Sequence, residues 1–283
     1  MFFVGKFDEA GFAIPHGHEK NARGYERAPL IDHSSGSVHM GTGICRLQPE
    51  GYTASHLHAN EKGIYILEGE VELRCDRDVS RLSVDDYALI PYGIAHAFRN
   101  ASANTVRWIE MQSPQPKPSG GWQDTFFVND FAWPAQVSAP DFSDSRTRYV
   151  GHFKEQKPVV HKAAGVQGLT VHRFMEREFG SQHFYMMRGV LAAGGSRGYH
   201  DHPVEEFYFA LSGETDMEIE GQRFHLRPGD VAWTGVGASH AFFQKGDAPF
   251  RWLETQAPQF PAQNGIRNYD EWDMLRARRD SEC

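Results

Sequence analysis

The stretch G-G-S-R-G-Y-H-D-H-P-V-E-E-F-Y-F-A-L-S-G, residues 194–213, carries an H-x-H-x3-E pattern formed by His200, His202 and Glu206. Residues two apart on a β-strand point to the same face of the sheet, so the two imidazoles are expected side by side. A later histidine, His240, is expected to join them from a second hairpin. Imidazoles and a carboxylate together suit divalent transition ions. We therefore predict that these four residues bind a metal ion.

An earlier copy of the pattern lies at a constant offset, which pairs 56 with 200, 58 with 202 and 96 with 240. The copy keeps His56, His58 and His96, but Lys62 stands where the later copy has its glutamate. The match continues without gaps to R-W-I-E-M-Q-S-P-Q at 107–115 and R-W-L-E-T-Q-A-P-Q at 251–259. Repetition on this scale predicts two successive domains of one architecture.

Short apolar segments separated by Gly, Pro and Asp run through both copies, as in I-Y-I-L-E-G-E-V-E-L-R at 64–74. Val, Ile, Phe and Tyr favour strands, and turn signals recur roughly every 8 to 12 residues, as in antiparallel sandwiches and barrels. A long helical period is found only in the tail, from Tyr269 to Arg279. We predict an all-β fold of tandem barrels with a short C-terminal helix.

Both copies resemble cupins, the small jelly-roll barrels, or double-stranded β-helices, that usually bind one metal ion. The later copy matches the first cupin signature, G-x5-H-x-H-x3-4-E-x6-G, at Gly194, His200, His202, Glu206 and Gly213. It matches the second, G-x5-P-x-G-x2-H-x3-N, at Gly229, Gly237 and His240, with Gly235 and Gln244 replacing the Pro and Asn. The earlier copy has the second signature at Pro91, Gly93, His96 and Asn100, but it has Glu50 and Lys62 in place of two residues of the first. The resemblance implies a bicupin.

A segment rich in Pro and Gly, S-P-Q-P-K-P-S-G-G at 113–121, marks the end of the first barrel. We predict an N-terminal arm (1–36), an N-terminal barrel (37–116), a connector that packs on the barrels (117–180), a C-terminal barrel (181–262) and a helical tail (263–283).

Composition narrows the class of protein. A chain of 283 residues can form two domains with separate cores, and a net charge of −8 argues against nucleic acid and acidic membranes as partners. The N-terminus indicates neither a signal peptide nor a membrane span, and the cysteines Cys45, Cys75 and Cys283 lack metal-type spacing. We expect a cytoplasmic protein with a small-molecule substrate, and cupin analogy together with exposed sheet edges predicts a homodimer.

The C-terminal ligand set suits Fe, Mn, Ni, Co or Zn, of which ferrous iron is our preferred ion. Four protein ligands on an octahedral ion leave two positions open, which permits Lewis-acid chemistry or oxygen activation. The N-terminal set, His56, His58 and His96, is either a second metal site or part of a purely structural barrel, because a charged Lys62 repels a dication. Glu61 is expected to face away from the ligands.

Several residues near the C-terminal ligands are candidates for a substrate pocket. Aromatic walls are expected from Tyr199, Tyr208 and Trp233, and cationic groups from Arg188 and Arg197. Glu254 and Gln256 share one face of a strand with Trp252. That face either lines the barrel, where it contacts substrate, or forms an interdomain or dimer seam, which we favour because the N-terminal copy retains these residue types.

A second H-x-H motif, formed by His16 and His18, has no partner histidine at the required spacing. We expect it to lie in a solvated arm.

The resemblance leaves three functions open. The first is a metal-dependent enzyme acting on a small polar or aromatic acid, with Fe(II)-dependent dioxygenation in the C-terminal barrel as the preferred reaction. The second is redox-free metal chemistry similar to that of ureidoglycine aminohydrolase. The third is a ligand-binding or structural bicupin without turnover.

Overall fold

The structure is a computed structural model that describes residues 1–117, 124–130, 132–144, 149–163, 165–260 and 265–268. The regular secondary structure of the described residues consists almost entirely of β-strands. The first twelve are β1 Phe2–Lys6, β2 Ala22–Ile31, β3 Gly41–Thr53, β4 His56–His58, β5 Glu61–Glu68, β6 Glu70–Cys75, β7 Asp78–Ser83, β8 Asp86–Ile90, β9 His96–Arg99, β10 Val106–Ser113, β11 Thr125–Phe127 and β12 Val150–His152.

The remaining strands are β13 Val159–Val160, β14 Val166–Met175, β15 Tyr185–Asp201, β16 Glu205–Ser212, β17 Thr215–Ile219, β18 Gln222–Leu226, β19 Asp230–Thr234, β20 His240–Phe243, β21 Phe250–Ala257 and β22 Arg267–Asn268. Single 3-10 turns occupy Glu9–Gly11, His33–Ser35, Phe153–Glu155 and Arg177–Phe179. No helix in the described ranges has the length and hydropathy needed to cross a membrane. The predicted all-β fold is therefore confirmed, whereas the predicted tail helix lies outside the described residues.

Each half of the chain forms a barrel-like antiparallel sheet whose strand order differs from the chain order. The N-terminal sheet has the order β11-β4-β9-β3-β10-β5-β8-β12, and the C-terminal sheet has the order β1-β19-β16-β21-β15-β20-β17-β18. Read in the opposite direction, the N-terminal order contains the run β8-β5-β10-β3-β9, which corresponds to β19-β16-β21-β15-β20. In addition, β6 pairs with β9 and β7, as β17 pairs with β20 and β18. The internal repeat of the sequence is thus a repeat of topology.

Each barrel encloses its own apolar core at equivalent positions. In the N-terminal core Phe98 stacks on Trp108 with ring centroids 4.9 Å apart, and in the C-terminal core Phe242 stacks on Trp252 at 5.5 Å. All four rings are buried. Burying large aromatic side chains supplies much of the stabilisation of a small barrel.

The hairpin glycine of the first cupin signature is required by local geometry. Gly213 has a φ of +75°, which L side chains rarely adopt, and a Cβ there would lie 2.4 Å from the carbonyl oxygen of Pro249. Gly69 at the equivalent position has a φ of +74° and the same kind of close backbone contact, with Thr105. Both hairpins therefore need glycine.

The structure divides the chain into two compact units that are not contiguous in sequence. One unit comprises Asp8–Gln156 and Phe174–His183, and the other comprises Met1–Phe7, Lys157–Arg173 and the chain from Phe184 onward. The predicted arm and connector are thus both shared between the units. The arm supplies β1 to the C-terminal barrel, where it pairs with β19, and the connector supplies β11 and β12 to the N-terminal barrel.

Candidate metal centre

The C-terminal barrel brings three of the predicted ligands together. His200 lies near the end of β15, His202 follows that strand, and His240 begins β20, which pairs with β15 so that His200 and His240 are opposite each other. One ring nitrogen from each of the three lies within 4.8 Å of the others. All three side chains are buried. We call this group, together with Glu206, the C-terminal cradle.

Backbone carbonyls fix the orientation of each imidazole in this cradle. The Nδ1 atom of His200 is 2.8 Å from the Gly198 oxygen, and the Nδ1 of His240 is 2.9 Å from the Ala238 oxygen. Because a carbonyl only accepts, each Nδ1 carries the proton and the Nε2 lone pair is left for the interior. Second-sphere hydrogen bonds of this kind commonly orient metal-binding histidines.

His202 is oriented by a more distant segment of the same unit. Its Nδ1 lies 3.1 Å from the carbonyl oxygen of Gly265, and its ring lies edge-on to Phe260 at 5.5 Å. Neither contact is indicated by the sequence pattern, because both residues lie well beyond the second signature.

Glu206 is held beside the histidines by neutral donors. Tyr208 donates its hydroxyl proton to Glu206 Oε2 at 2.6 Å, and the Gln256 amide donates to Glu206 Oε1 at 2.7 Å. The carboxylate oxygens lie 3.1 Å from His202 Nε2 and 2.9 Å from His240 Nε2. The predicted carboxylate ligand therefore contacts two of the three imidazoles.

These short contacts indicate that the cradle fits a cation. An Nε2 lone pair and an ionised carboxylate oxygen are both acceptors, so a separation near 3 Å requires a proton or a metal ion between them. Burial, reinforced by the charges of His240 and Arg197, lowers the pKa of His200 well below its ordinary value. Burial alone would raise the pKa of Glu206, but His202 and His240 lower it to about 2. A bound metal ion would replace the proton between Glu206 and the imidazoles, because neutral imidazoles and an ionised carboxylate are the forms that bind metals.

A second carboxyl group lies behind Glu206. Glu254 accepts a hydrogen bond from Trp252 Nε1 at 2.8 Å and another from the Gln256 amide, which also donates to Glu206. Burial and the charge of Glu206 raise the pKa of Glu254 to about 8. Their surroundings thus favour an ionised Glu206 and a protonated Glu254 at neutral pH.

The face that carries Trp252, Glu254 and Gln256 therefore lines the interior of the barrel. The same holds in the N-terminal barrel, where Trp108 and Glu110 are buried. The favoured interpretation of this face as an interdomain or dimer seam is wrong. Retention of these residue types in both copies reflects an interior role that does not depend on the metal carboxylate.

The remaining pocket candidates fall into two groups, because alternate residues of a strand point to opposite faces of the sheet. Tyr208 and the buried Arg197 lie close to the cradle, and Arg197 donates to Asn268 Oδ1 at 2.8 Å. Tyr199 is 41% exposed and bonds to Glu218, because it points to the opposite face of β15 from His200. It is therefore not a wall of the cradle.

Two further candidates also face away from the cradle. Trp233 is buried, but its neighbour Thr234 is the residue whose hydroxyl reaches Glu206, at 3.4 Å, so Trp233 points the other way. Arg188 follows Met187, which packs against the C-terminal core, so Arg188 lies on the other face of β15. Both residues are therefore on the strand faces opposite to those that carry the predicted ligands.

The N-terminal barrel repeats the histidine geometry. One ring nitrogen each from His56, His58 and His96 lies within 4.8 Å of the others, and all three are buried. The Nδ1 atoms of His56 and His96 lie 2.8 Å from the Ala54 oxygen and 3.0 Å from the Ile94 oxygen, the same i−2 contacts as in the other barrel. We call these three histidines the N-terminal cradle.

The ammonium group of Lys62 in this barrel is paired with a buried carboxylate. Its Nζ lies 3.0 Å from Glu110 Oε2, and Arg27 Nε lies 3.1 Å from Glu110 Oε1. The Lys62 and Glu110 side chains are only 3% and 1% exposed. Glu61 faces away, as expected, and accepts hydrogen bonds from the backbone amides of Gln182 and His183.

His18 departs most clearly from its prediction. It was expected in a solvated arm, but its side chain is buried, and its ring lies edge-on to His56 with centroids 5.0 Å apart. Burial, followed by the charge of Lys62, lowers its pKa to about 4. The exposed His16 fits the prediction. The H-x-H motif was a signal for this residue, but spacing along the sequence did not reveal its partner.

Comparison with known proteins agrees with this geometry. The family model described as a cupin domain matches residues 43–111 and 187–255. The chain is therefore a bicupin, a protein with two cupin domains that each contain a histidine cluster able to bind a metal ion.

Among curated proteins, the chain is 24% identical to quercetin 2,3-dioxygenase of Bacillus subtilis (strain 168) over 224 residues, which cover 66% of this chain and 64% of the relative. It is 33% identical to the polyketide synthase CurC of Streptomyces cyaneus over 85 residues, which cover 29% of this chain and 55% of the relative. The chain thus matches less than two thirds of the length of either relative.

Among solved structures, a variant of oxalate decarboxylase from B. subtilis superposes with a TM-score of 0.71 at 15% identity, covering 95% of this chain and 80% of that one. Oxalate decarboxylase from B. subtilis in another structure gives a TM-score of 0.66 at 16% identity, with coverage of 88% and 75%. At these identities the likeness shows the fold alone.

Proposed function

We propose that the protein is a metal-dependent enzyme whose active centre is the C-terminal cradle, and that it catalyses Fe(II)-dependent dioxygenation of a small polar or aromatic acid. The observation that carries the proposal is the contact of Glu206 with the Nε2 atoms of His202 and His240 in a buried pocket. These three groups and His200 offer an N3O donor set that suits a divalent transition ion. When bound, the ion supplies a Lewis acid and a centre for oxygen activation.

Side chains around the cradle have separate roles in this proposal. Tyr208 and Gln256 hold the Glu206 carboxylate by hydrogen bonds of 2.6 and 2.7 Å, which fixes the direction of its oxygens. Glu254, whose pKa lies near 8, holds a proton inside the barrel and can exchange it with a substrate. Arg197 provides the buried positive charge that would attract a substrate carboxylate.

The relatives support an oxygen-dependent reaction without fixing the substrate. One of them is named as a dioxygenase of quercetin, an aromatic compound. Oxalate decarboxylase, a fold relative, is described as having Mn(II) centres, so manganese is the main alternative to iron. The edge-on Phe260 beside His202 is the apolar surface against which an aromatic substrate would pack.

Oxygen uptake tests the proposal. Protein stripped of metal is loaded with Fe(II) or Mn(II) under nitrogen and then mixed with air-saturated buffer and a panel of hydroxylated aromatic acids and flavonols. We expect uptake that needs both metal and substrate, that Glu206→Ala abolishes, and that Lys62→Ala, the matched change in the other barrel, retains. Binding of panel compounds with thermal stabilisation but no uptake and no product would instead favour a ligand-binding bicupin.

A further inference from the structure

The N-terminal arm carries a fourth histidine to the N-terminal cradle. The His18 side chain is 5% exposed, and its ring lies 5.0 Å from that of His56, nearly the same separation as the 4.9 Å between His56 and His58. Its Nδ1 is buried and has no hydrogen-bond partner among the described residues. Tyr25 and Phe127 pack edge-on to the ring at 5.2 and 5.1 Å.

Backbone hydrogen bonds attach this part of the arm to the segment that carries His56. The His18 amide donates to the Pro15 oxygen at 3.0 Å, and the Asn21 amide donates to the His18 oxygen at 2.9 Å. The Ala54 amide then donates to the Asn21 oxygen at 2.7 Å, while the Ala54 oxygen accepts from His56 Nδ1. The arm and the cradle are therefore one hydrogen-bonded structure, and burial of His18 follows from it.

Several buried imidazole nitrogens in this part of the barrel have no hydrogen-bond partner among the described residues. The Nε2 atoms of His58 and His96 are buried and, like His18 Nδ1, have no hydrogen-bond partner in the described chain. An unsatisfied buried polar atom costs about 1–3 kcal/mol. Lys62 does not satisfy them, because its ammonium is directed to Glu110 at 3.0 Å. Lone pairs on neutral imidazoles attract a cation rather than an anion.

We propose that His18 is the fourth donor of the N-terminal cradle and replaces the carboxylate that is lost where Lys62 stands. The site is then formed by His18, His56, His58 and His96, and its donors are all imidazole. Such a set suits Zn(II), Ni(II), Co(II) or Cu(II). His18 lies on the flank of His56, outside the group of nitrogens within 4.8 Å, so its side chain rotates toward the ion when the site fills.

Charge makes this site weaker than the one in the C-terminal barrel. Its four proposed donors include no carboxylate, and the Arg27, Lys62 and Glu110 group beside it carries one net positive charge. The two barrels would therefore hold two ions of different affinity. The inference concerns only the N-terminal barrel and does not depend on the proposed dioxygenase.

Cobalt titration of the metal-free, full-length chain tests the inference. Visible absorption and calorimetry together give the number of ions bound and both affinities for the parent, for His18→Ala and for the matched control His16→Ala, which alters an exposed histidine of the same arm. We expect two ions in the parent and control, and at least a tenfold loss of affinity at the weaker site in His18→Ala. Unchanged affinities at both sites in His18→Ala, or a single ion in every protein, would overturn the inference.

A measurement on the parent alone covers the case in which His18→Ala does not fold. Pulsed electron paramagnetic resonance of the protein loaded with two equivalents of Cu(II) counts the imidazoles on each ion. We expect one population with four coordinated imidazoles and another with three. A spectrum in which no ion has more than three imidazoles would contradict the role of His18.

Discussion

Lys62 and Glu206 occupy equivalent positions on equivalent strands, and each sets the charge of its barrel. Lys62 is compensated by Glu110, which also binds Arg27, so this buried group has one net positive charge. Glu206 is held by the neutral groups of Tyr208 and Gln256 and keeps its negative charge for a cation. A single exchange of residue type thus makes the two cradles electrostatically different.

Glu110→Gln is expected to destabilise the N-terminal barrel by about 3–5 kcal/mol, because it leaves the buried Lys62 without a full countercharge. Urea unfolding at pH 7 measures the loss. Glu254→Gln is the matched control, since the partners of Glu254 are the neutral Trp252 and Gln256 groups, and we expect it to cost less than about 1 kcal/mol. Equal losses in the two variants would contradict the importance of the ion pair.

The same ion group predicts a pH dependence. Burial raises the pKa of Glu110, but Lys62 and Arg27 outweigh burial and lower it below the ordinary value of 4.5. A carboxyl group with a lowered pKa contributes stability above 4.5, and this contribution is lost as the pH falls through its folded-state pKa. The stability difference between the parent and Glu110→Gln should therefore shrink in thermal unfolding below pH 4.5. A difference that persists undiminished to about pH 3 would argue against this linkage.

Lys62→Glu should strengthen metal binding by the N-terminal cradle, because it replaces a repelling charge by a carboxylate ligand. We expect at least about a tenfold gain in affinity. Lys62→Gln is the control that removes the positive charge without adding a carboxylate, and its gain should be smaller. Calorimetry with Co(II) measures both, and equal affinities for the two variants would mean that the carboxylate does not reach the ion.

Part of the site could be predicted from the sequence because it depends on local geometry. The H-x-H spacing places His200 and His202 on one face of a strand, and the i−2 carbonyl contacts follow from the same local path. His18 and Gly265 could not be assigned, because their contacts depend on how distant segments cross the barrels. The interpretation of the Trp252 face as a seam was wrong, because the two-residue period of a strand defines two faces but does not show which of them is buried in the barrel.

At the scale of elements, the β1 strand shows how sequence order and spatial order diverge. Residues Phe2–Lys6 pair with Asp230–Thr234, which lie at the other end of the chain, and Phe2 and Val4 pack against the C-terminal core. Apolar alternation predicts strands well, but it contains no information about a partner so distant in sequence. For the same reason, the sequence does not show that segments of the connector belong to different barrels.

Phe2→Ala should destabilise the C-terminal barrel by about 1–2 kcal/mol, which is less than the value for full burial of a large apolar side chain, because Phe2 is only partly buried. Phe3→Ala is the matched control, because Phe3 points to the other face of the strand and is 37% exposed. Hydrogen exchange in strand β19 reports the effect, with faster exchange expected only in the Phe2 variant. Similar exchange in both variants would show that β1 contributes little to the barrel.

At the scale of the whole molecule, the chain consists of two copies of one barrel, each with a histidine cluster able to bind a metal ion. Topology, core stacking and histidine orientation are common to both barrels, whereas Glu206 of the C-terminal cradle is replaced by Lys62 in the N-terminal barrel. Predicted features beyond a single chain, namely the homodimer and the cytoplasmic location, stay predictions. We therefore expect the C-terminal cradle to hold the tightly bound ion.

Elemental analysis of the protein, purified without added metal or chelator, shows which cradle holds this ion. The parent is compared with His240→Ala and with its counterpart His96→Ala. We predict that the tightly held transition ion is retained in the parent and in His96→Ala and is lost in His240→Ala. Loss of that ion in His96→Ala instead, or a parent that contains no metal and takes up none on reconstitution, would contradict the assignment of the C-terminal cradle as the metal centre.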